Sequence, residues 1–268
     1  MTLIKFLRRV LGRIKMILFG EPPDPPYRYR VGDIVVEDFT EFSGLPLDIV
    51  ADRIANFHRI NAADWHALDA GSFSERAAKF YESSQNYVFD TLSANPRPQA
   101  VIDKLNRFNP RFMAAIGAHP GKRFFEFGGG VGAFCEVLAR MGKDVCYLDL
   151  PGIVFDFAQW RFKKYGLKVT MIEAKADHIS LPGKYDIVYT DAVIEHLPPA
   201  LQVEAIKAIG NAVDAGGLLV CLIDLRGPSK EEPMHHNVNI RQLHGLLRAA
   251  GMSCELGQNE ACSIWRRP

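Results

Sequence analysis

The chain has 268 residues, of which 48% are hydrophobic and 24% charged, and its formal net charge is +1 at pH 7. A chain of this length and composition can bury a full core, which excludes a disordered or fibrous protein. Its five cysteines form no C-x-x-C pair. This spacing predicts packed, reduced thiols rather than disulfides or a metal–thiolate site.

Residues 1–19 predict a basic amphipathic helix, because apolar residues recur at steps of three and four and the charges are all positive. The segment is too short and too charged to span a bilayer, and it lacks a secretory cleavage site. We expect it to lie on an anionic membrane. The alternatives are docking on a partner or on the folded body, and a mitochondrial transit peptide.

Outside this helix, the chain has 27 basic and 31 acidic residues. Nucleic-acid-binding proteins usually carry a basic face on the folded domain, so we expect no nucleic-acid partner. The segment 20–30 is rich in proline and predicts an extended linker.

Residues 31–118 keep a helical period of apolar residues and predict a helical region. Four side chains of this region are Trp65, His66, Tyr81 and Tyr87. We expect them either to cover a ligand as part of a lid or to pack as ordinary core. This region is the predicted lid and acceptor-binding segment.

A buried strand followed by a sharp, glycine-rich turn is predicted at residues 124–133. The apolar run ends at Phe127, and Gly128, Gly130 and Gly132 alternate with other residues before a helix begins. Glycines at such a turn let the backbone approach a ligand more closely than a side chain would allow. The turn therefore predicts a binding site.

After this turn, strand and helix patterns alternate with short connections over residues 119–268. This alternation predicts an α/β fold with a doubly wound, Rossmann-like, mostly parallel sheet, preceded by the helical lid region. In such sheets the ligand lies outside the carboxyl ends of the strands.

The glycine spacing alone does not distinguish between two classes of ligand, a dinucleotide and a cationic ligand. Gly128-x-Gly130-x-x-Ala133 also satisfies the dinucleotide fingerprint, with Asp149 at the distance of a ribose-binding acid. A pyrophosphate is an anion that prefers a helix N-terminus free of carboxylates. Glu126, two residues before Gly128, therefore favours a cationic ligand.

The run Glu126-Phe-Gly-Gly-Gly-Val-Gly132 resembles the E/D-x-G-x-G-x-G turn of class I S-adenosylmethionine-dependent methyltransferases. Asp149 and Asp177 match that family's acids for the ribose hydroxyls and for the adenine amino group. Residues 185–197, which end in Glu-His-Leu, resemble its fourth strand and the element that follows. The resemblance spans residues 122 to about 265.

The resemblance implies S-adenosyl-L-methionine as the cofactor. The residues that it implies as cofactor-binding are Glu126, Gly128, Gly130, Gly132, Asp149, Leu150, Asp177 and His178. Methyl transfer to a hydroxyl then needs in-line positioning of the nucleophile and removal of its proton.

The candidate catalytic groups follow the fourth and fifth predicted strands. They are Asp191, His196, His235 and His236. The unperturbed pKa of histidine lies near working pH, which suits a general base. Ordinary structural or polar-loop roles remain open for the histidines. We expect no metal site, and the alternative is a divalent ion held by Asp224 with the His235–His236 pair.

These features predict an enzyme that O-methylates a small-molecule or lipid-linked saccharide at a membrane surface, from the cytoplasmic side. A loose similarity to bacterial methyltransferases of glycan and surface-polymer pathways supports the saccharide. A quinone, polyketide or other lipid acceptor remains open, as does a non-catalytic, cofactor-binding scaffold docked on a membrane enzyme. A dinucleotide oxidoreductase is the third alternative.

Overall fold

A computed structural model describes residues 28–268 of the protein. The predicted helix at 1–19 and most of the predicted linker lie outside the described residues. Helices occupy the first part of the described chain: α1 (Ile34–Ser43), α2 (Leu47–Ala55), α3 (Phe57–Ala67), α4 (Phe73–Ser83), α5 (Val88–Ala94), α6 (Gln99–Phe108) and α7 (Arg111–Ala118).

A sheet of seven strands follows, in the spatial order β3-β2-β1-β4-β5-β7-β6. Its strands are β1 (Arg123–Phe127), β2 (Asp144–Asp149), β3 (Val169–Glu173), β4 (Tyr185–Asp191), β5 (Val213–Leu222), β6 (Ser253–Leu256) and β7 (Cys262–Arg266). The first five pair in parallel, whereas β7 runs antiparallel to β5 and β6.

The connecting helices are α8 (Ala133–Arg140), α9 (Ile153–Lys164), α10 (Pro199–Ala212) and α11 (Ile240–Ala249), and a 3₁₀ turn occupies Ile194–His196. Strand order reverses between β1 and β4, since the chain first builds β1, β2 and β3 outward on one side. The predicted α/β, doubly wound, mostly parallel fold is confirmed. The antiparallel pair β6–β7 was absent from the sequence prediction.

The helical region packs against one face of the sheet in a shared core. Phe39 of α1 contacts Phe89 of α5 and Phe157 of α9, with ring centroids 5.5 and 5.1 Å apart. The same apolar cluster includes Phe124 of β1 and Tyr189 of β4. Strands buried on both faces need mostly apolar residues, which explains Phe124, Phe125 and Phe127 of β1.

A buried ion-pair network also joins the two regions. The guanidinium of Arg161 on α9 is fully buried and donates to Asp38 of α1 at 3.0 Å and to Glu136 of α8. It also donates to the carbonyl of Val131, within the glycine turn, at 3.0 Å. A buried charge is tolerated only when it is paired and hydrogen-bonded, so this network holds α1, α8 and α9 in one arrangement.

All five cysteines of the chain lie within the described residues, and all are free thiols. Four of them are buried, as expected for packed side chains. In the part of the chain from residue 28 onward, no helix combines the length and the apolar character needed to cross a membrane.

Candidate active site

A cavity of about 590 Å³ lies at the carboxyl ends of β1, β2 and β4, beneath helices α4, α5 and α6. The glycine turn forms its floor. Its polar lining from the helical region consists of Ser74, Tyr81, Tyr87, Asp90, Thr91, Asn95 and Lys104. The cavity therefore sits where a doubly wound sheet binds its ligand, at the point where strand order reverses.

The glycine turn has the backbone that its sequence predicts. Gly128, Gly130 and Gly132 adopt φ values of 74°, 53° and 70°. A Cβ at Gly128 would lie 2.2 Å from a methyl carbon of Val193, whereas a Cβ at Gly130 would meet only Thr91, at 3.7 Å. Gly128 and Gly130 line the cavity, so the floor is bare backbone.

Gly132 has a different role from the one the motif implies. It does not line the cavity, and a Cβ there would lie 2.5 Å from the ring of Phe162 on α9. This glycine therefore lets α8 and α9 approach each other behind the turn, so it supports the cofactor site without contacting the cavity.

Two acids flank the turn. Glu126 is 5% exposed and accepts a hydrogen bond from the Cys135 thiol at 2.8 Å, and burial raises its pKa to about 8. Asp149 accepts backbone hydrogen bonds from Gly130 at 2.7 Å and Leu150 at 2.8 Å. Burial raises the pKa of Asp149 to about 6, so this acid is ionised at neutral pH and Glu126 is not.

The adenine side of the cavity differs in part from the predicted set. Leu150 and His178 line the cavity, together with Ile179. Asp177 is exposed and is not part of the wall, although Ala176 beside it is. The structure thus does not bring Asp177 into the cavity, because the Lys175–His178 bridge turns the chain tightly at this point.

His196 also lines the cavity. Its Nδ1 lies 2.6 Å from the hydroxyl of Tyr81 on α4, a hydrogen bond between residues 115 positions apart. Burial holds the pKa of His196 well below the usual histidine range, and the neighbouring His235 adds to the effect. His196 is therefore neutral at neutral pH, as a general base must be.

The other three catalytic candidates differ in whether they line the cavity. Asp191 lines the cavity, receives a hydrogen bond from Tyr189 at 2.9 Å and pairs with Lys104 at 2.5 Å. His235 and His236 lie outside the lining, so the structure does not support contact with a reacting group. The His235 ring packs on His196 with a centroid distance of 4.5 Å.

His236 faces Phe73 at 4.0 Å between ring centroids. Its backbone N–H donates to the carbonyl of Glu195 at 2.7 Å. Both histidines therefore support the segment that carries His196 rather than the cavity itself.

The structure brings together two of the three residues proposed as alternative metal ligands, Asp224 and His235. Ligand atoms of Asp224, Glu232 and His235 lie within 4.8 Å of one another, whereas His236 is not in the group. The guanidinium of Arg226 forms ion pairs with both Asp224 and Glu232. These carboxylates thus already hold a cation of the protein, and the group lies outside the cavity lining.

The sequence did not predict the two acidic or basic side chains that the helical region contributes to the cavity, Asp90 and Lys104. Burial raises the pKa of Asp90 to about 7. Both lie on helices whose charged residues resemble a solvated face when read in isolation. Only the packing of α5 and α6 over the strand ends shows that these two side chains face the cavity.

Residues 124–217 match the family model described as "Methyltransferase domain". A ubiquinone biosynthesis O-methyltransferase of Burkholderia pseudomallei is 32% identical over 160 residues, which cover 58% of this chain and 61% of that one. The enzyme of the same name from Methylococcus capsulatus is 32% identical over 113 residues, covering 40% and 48%. The chain thus spans about half to three fifths of these relatives.

Among solved structures, magnesium protoporphyrin IX methyltransferase of Synechocystis with bound S-adenosylmethionine aligns with a TM-score of 0.51 and 19% identity. The alignment covers 75% of this chain and all of the other. A protein of Pyrococcus horikoshii gives a TM-score of 0.50 at 19% identity, covering 74% and 100%. Likeness at this identity concerns the fold.

The fold, the glycine floor and the family match together define a nucleoside-binding α/β domain of the methyltransferase type. The match over residues 124–217 supports placing this domain in the class I S-adenosylmethionine-dependent methyltransferase superfamily, whose fold the aligned structures share. The cavity fits that cofactor, because it offers bare backbone at Gly128 and Gly130 and an ionised acid at Asp149 for paired hydroxyls. The predicted superfamily and cofactor are confirmed.

Proposed function

We propose that this protein transfers the methyl group of S-adenosylmethionine to a hydroxyl oxygen of a ring-shaped small molecule, with His196 as the general base. The observation that carries the proposal is the Tyr81–His196 hydrogen bond at the cavity wall. It joins the helical region to the 3₁₀ turn that follows β4. A neutral imidazole in this position is suited to removing a hydroxyl proton.

S-adenosylmethionine, when bound, would supply a sulfonium methyl group whose transfer to the acceptor oxygen releases the sulfur as a neutral thioether. The hydroxyl proton passes to His196. In the tautomer with the proton on Nδ1, His196 donates to the Tyr81 oxygen, and Nε2 keeps a lone pair for that proton.

Tyr81 is suited to orienting this base. Burial raises its pKa well above the usual tyrosine range, so the phenol stays neutral and keeps its hydrogen bond to His196 across the working pH range. Edge-to-face contacts with Phe80 and Tyr87, at 5.2 and 4.8 Å between centroids, fix the ring. A fixed orienting partner reduces the freedom of the imidazole before the reaction.

We propose a phenolic ring of the quinone-precursor type as the acceptor. The wall around His196 contains aromatic and aliphatic side chains, among them Tyr81, Tyr87 and Leu197, which suit a flat apolar ring. The relatives named ubiquinone biosynthesis O-methyltransferases support this class.

A saccharide hydroxyl is the second candidate, because Asp90 presents a carboxylate to the same cavity and Thr91 and Asn95 add polar groups. Carboxylate and amide oxygens bind the several hydroxyls of a sugar. The predicted contact of Asp177 with the adenine amino group also stays a proposal, and it requires the segment around Lys175 to move inward.

The test is a methyl-transfer assay with labelled S-adenosylmethionine and two acceptor sets, substituted catechols and a lipid-linked saccharide fraction. The proposal expects label in the catechols and its loss in the His196→Asn variant. Label in the saccharide fraction alone would select the second candidate. Binding of S-adenosylhomocysteine without transfer to either set would favour the non-catalytic scaffold.

We further propose that residues 1–19 bring the protein to an anionic membrane from the cytoplasmic side. Their five basic side chains and apolar stripe support this contact. Deleting them should release the protein from vesicles containing anionic lipid and leave cofactor affinity unchanged. Continued sedimentation of the shortened protein with these vesicles would contradict the membrane role, and vesicles of neutral lipid are the control.

A further inference from the structure

Lys104 of α6 reaches the cavity from outside the matched methyltransferase domain. Its Nζ lies 2.5 Å from a carboxylate oxygen of Asp191, at the end of β4. The two side chains are 20% and 15% exposed, and both line the cavity. The pair is thus largely removed from bulk water yet open to a ligand.

The pair lies on the far side of the glycine turn from Asp149. Strand β1 carries the turn and stands between β2, which ends at Asp149, and β4, which ends at Asp191. A ligand that crosses the turn with its ribose hydroxyls at Asp149 therefore extends its other end toward Asp191. In S-adenosylmethionine that other end is an amino acid, with one carboxylate and one ammonium group.

Both members of the pair have bonding capacity left. A lysine ammonium has three donor hydrogens and a carboxylate has two acceptor oxygens with about four lone pairs. Asp191 uses one oxygen for both the Tyr189 hydroxyl, at 2.9 Å, and Lys104. A zwitterion can therefore add to the pair without displacing either internal partner, forming charge-assisted hydrogen bonds at both ends.

We propose that Lys104 and Asp191 form the subsite for the amino-acid end of the cofactor, where Lys104 binds the α-carboxylate and Asp191 binds the α-ammonium. The inference rests on the proposed use of S-adenosylmethionine. It assigns Asp191 to cofactor binding in place of the catalytic role predicted from sequence. An acid already paired with a lysine is a poor acceptor for a substrate proton.

The test compares two nucleosides by calorimetry on the full-length protein. S-adenosylhomocysteine carries the amino acid, and 5′-methylthioadenosine lacks it. Lys104→Met should weaken S-adenosylhomocysteine binding about 10- to 100-fold, the effect of losing a hydrogen-bonded charge. It should leave 5′-methylthioadenosine affinity unchanged. Asp191→Asn should also weaken S-adenosylhomocysteine binding.

Lys79→Met is the matched control, because Lys79 also pairs with a carboxylate, Glu75, at 2.9 Å on a helix of the same region but does not line the cavity. It should change neither affinity. Lys104→Arg keeps the charge and should restore most S-adenosylhomocysteine binding. Thermal unfolding of each variant, with and without 5′-methylthioadenosine, reports whether the fold and the nucleoside end of the cavity are intact.

Equal weakening of both nucleosides by Lys104→Met, or no weakening of either, would overturn the subsite. Failure of wild-type protein to bind S-adenosylhomocysteine would instead contradict the proposed function itself. Selective weakening of S-adenosylhomocysteine in a protein that transfers no methyl group would keep the subsite and remove only the catalytic proposal.

Discussion

The two walls of the cavity are built in different ways. The cofactor floor comes from the ends of adjacent parallel strands, and Glu126 through Gly130 form it within five consecutive residues. The wall that we propose for the acceptor joins α4, α5 and α6 to the turn after β4, so that Tyr81 meets His196 across 115 positions of the chain. The first wall depends on local backbone conformation, whereas the second depends on how whole elements pack.

This difference has a functional consequence. A floor of bare backbone and one acid suits a single cofactor and leaves little room for variation. A wall assembled from separate helices can change its side chains without disturbing the floor, which is how one fold hosts many acceptors. The following substitutions separate the two walls by experiment.

The largest expected effect is on the acceptor wall. Replacing His196 with asparagine should lower kcat about 100- to 10,000-fold, the usual contribution of a general base. S-adenosylhomocysteine affinity should stay unchanged, because the cofactor floor is intact. Steady-state kinetics and calorimetry measure the two quantities. His66→Asn, at an exposed histidine of α3 outside the cavity, is the control, and equal losses in both variants would argue against the assignment.

The second-largest effect is expected at the ion-pair network that joins the helical region to the sheet and its helices. Replacing Arg161 with methionine leaves the buried carboxylates of Asp38 and Glu136 without this cation, which should cost about 3–5 kcal/mol of unfolding free energy. Urea denaturation measures it. Arg123→Met removes an arginine that is 47% exposed and pairs with Asp186, and it should shift the urea midpoint much less. Similar shifts would show that the network does not join the regions.

The cofactor floor is tested at Gly128. An alanine there needs a left-handed backbone, costing about 1–2 kcal/mol, and overlaps Val193, costing about 1–3 kcal/mol more. We expect a lower melting temperature and weaker S-adenosylhomocysteine binding. Gly142→Ala is the matched control, with φ of 75° and nothing within 4 Å of the added carbon. If the two alanines lowered stability equally and cofactor binding remained intact, the floor would not need bare backbone.

The smallest expected effect is a pH dependence of cofactor binding. The pKa of Asp149 is about 6, and we expect its ionised form to accept from the ribose hydroxyls of the cofactor. Affinity for S-adenosylhomocysteine should therefore fall about tenfold as pH drops one unit below this pKa. Glu126, with a pKa of about 8, is already protonated over that range. Calorimetry on Asp149→Asn should give a flat profile, and a persisting slope would point to another group.

The sequence predicted the strand-turn-helix at residues 124–133 and the acids Glu126 and Asp149, because a left-handed glycine turn after a buried strand leaves a local pattern. It placed Gly132 in the cofactor site, where the structure instead packs it against Phe162. It did not predict β6 and β7, which are short and antiparallel.

Among the catalytic candidates, the sequence alone treated four side chains as equivalent. The structure brings His196 and Asp191 to the cavity and leaves His235 and His236 behind them. Asp90 and Lys104 were not predicted as cavity residues, because a charged side chain on a helix usually faces solvent. Whether a charged group is buried depends on which helix or strand packs against it. The residues close to it in the chain do not identify that helix or strand.

The sequence by itself determined the fold class, which follows from short-range rules: hydrophobic period, glycine conformation and the order of strands and helices. It implied the methyl donor through the resemblance that Glu126, the glycine turn and Asp149 carry. The tertiary structure alone decided which histidine faces the cavity, how Tyr81 orients it, and that Lys104 meets Asp191 at the strand ends. These contacts join residues far apart in the chain, so only the packing of the helical region onto the sheet brings them together.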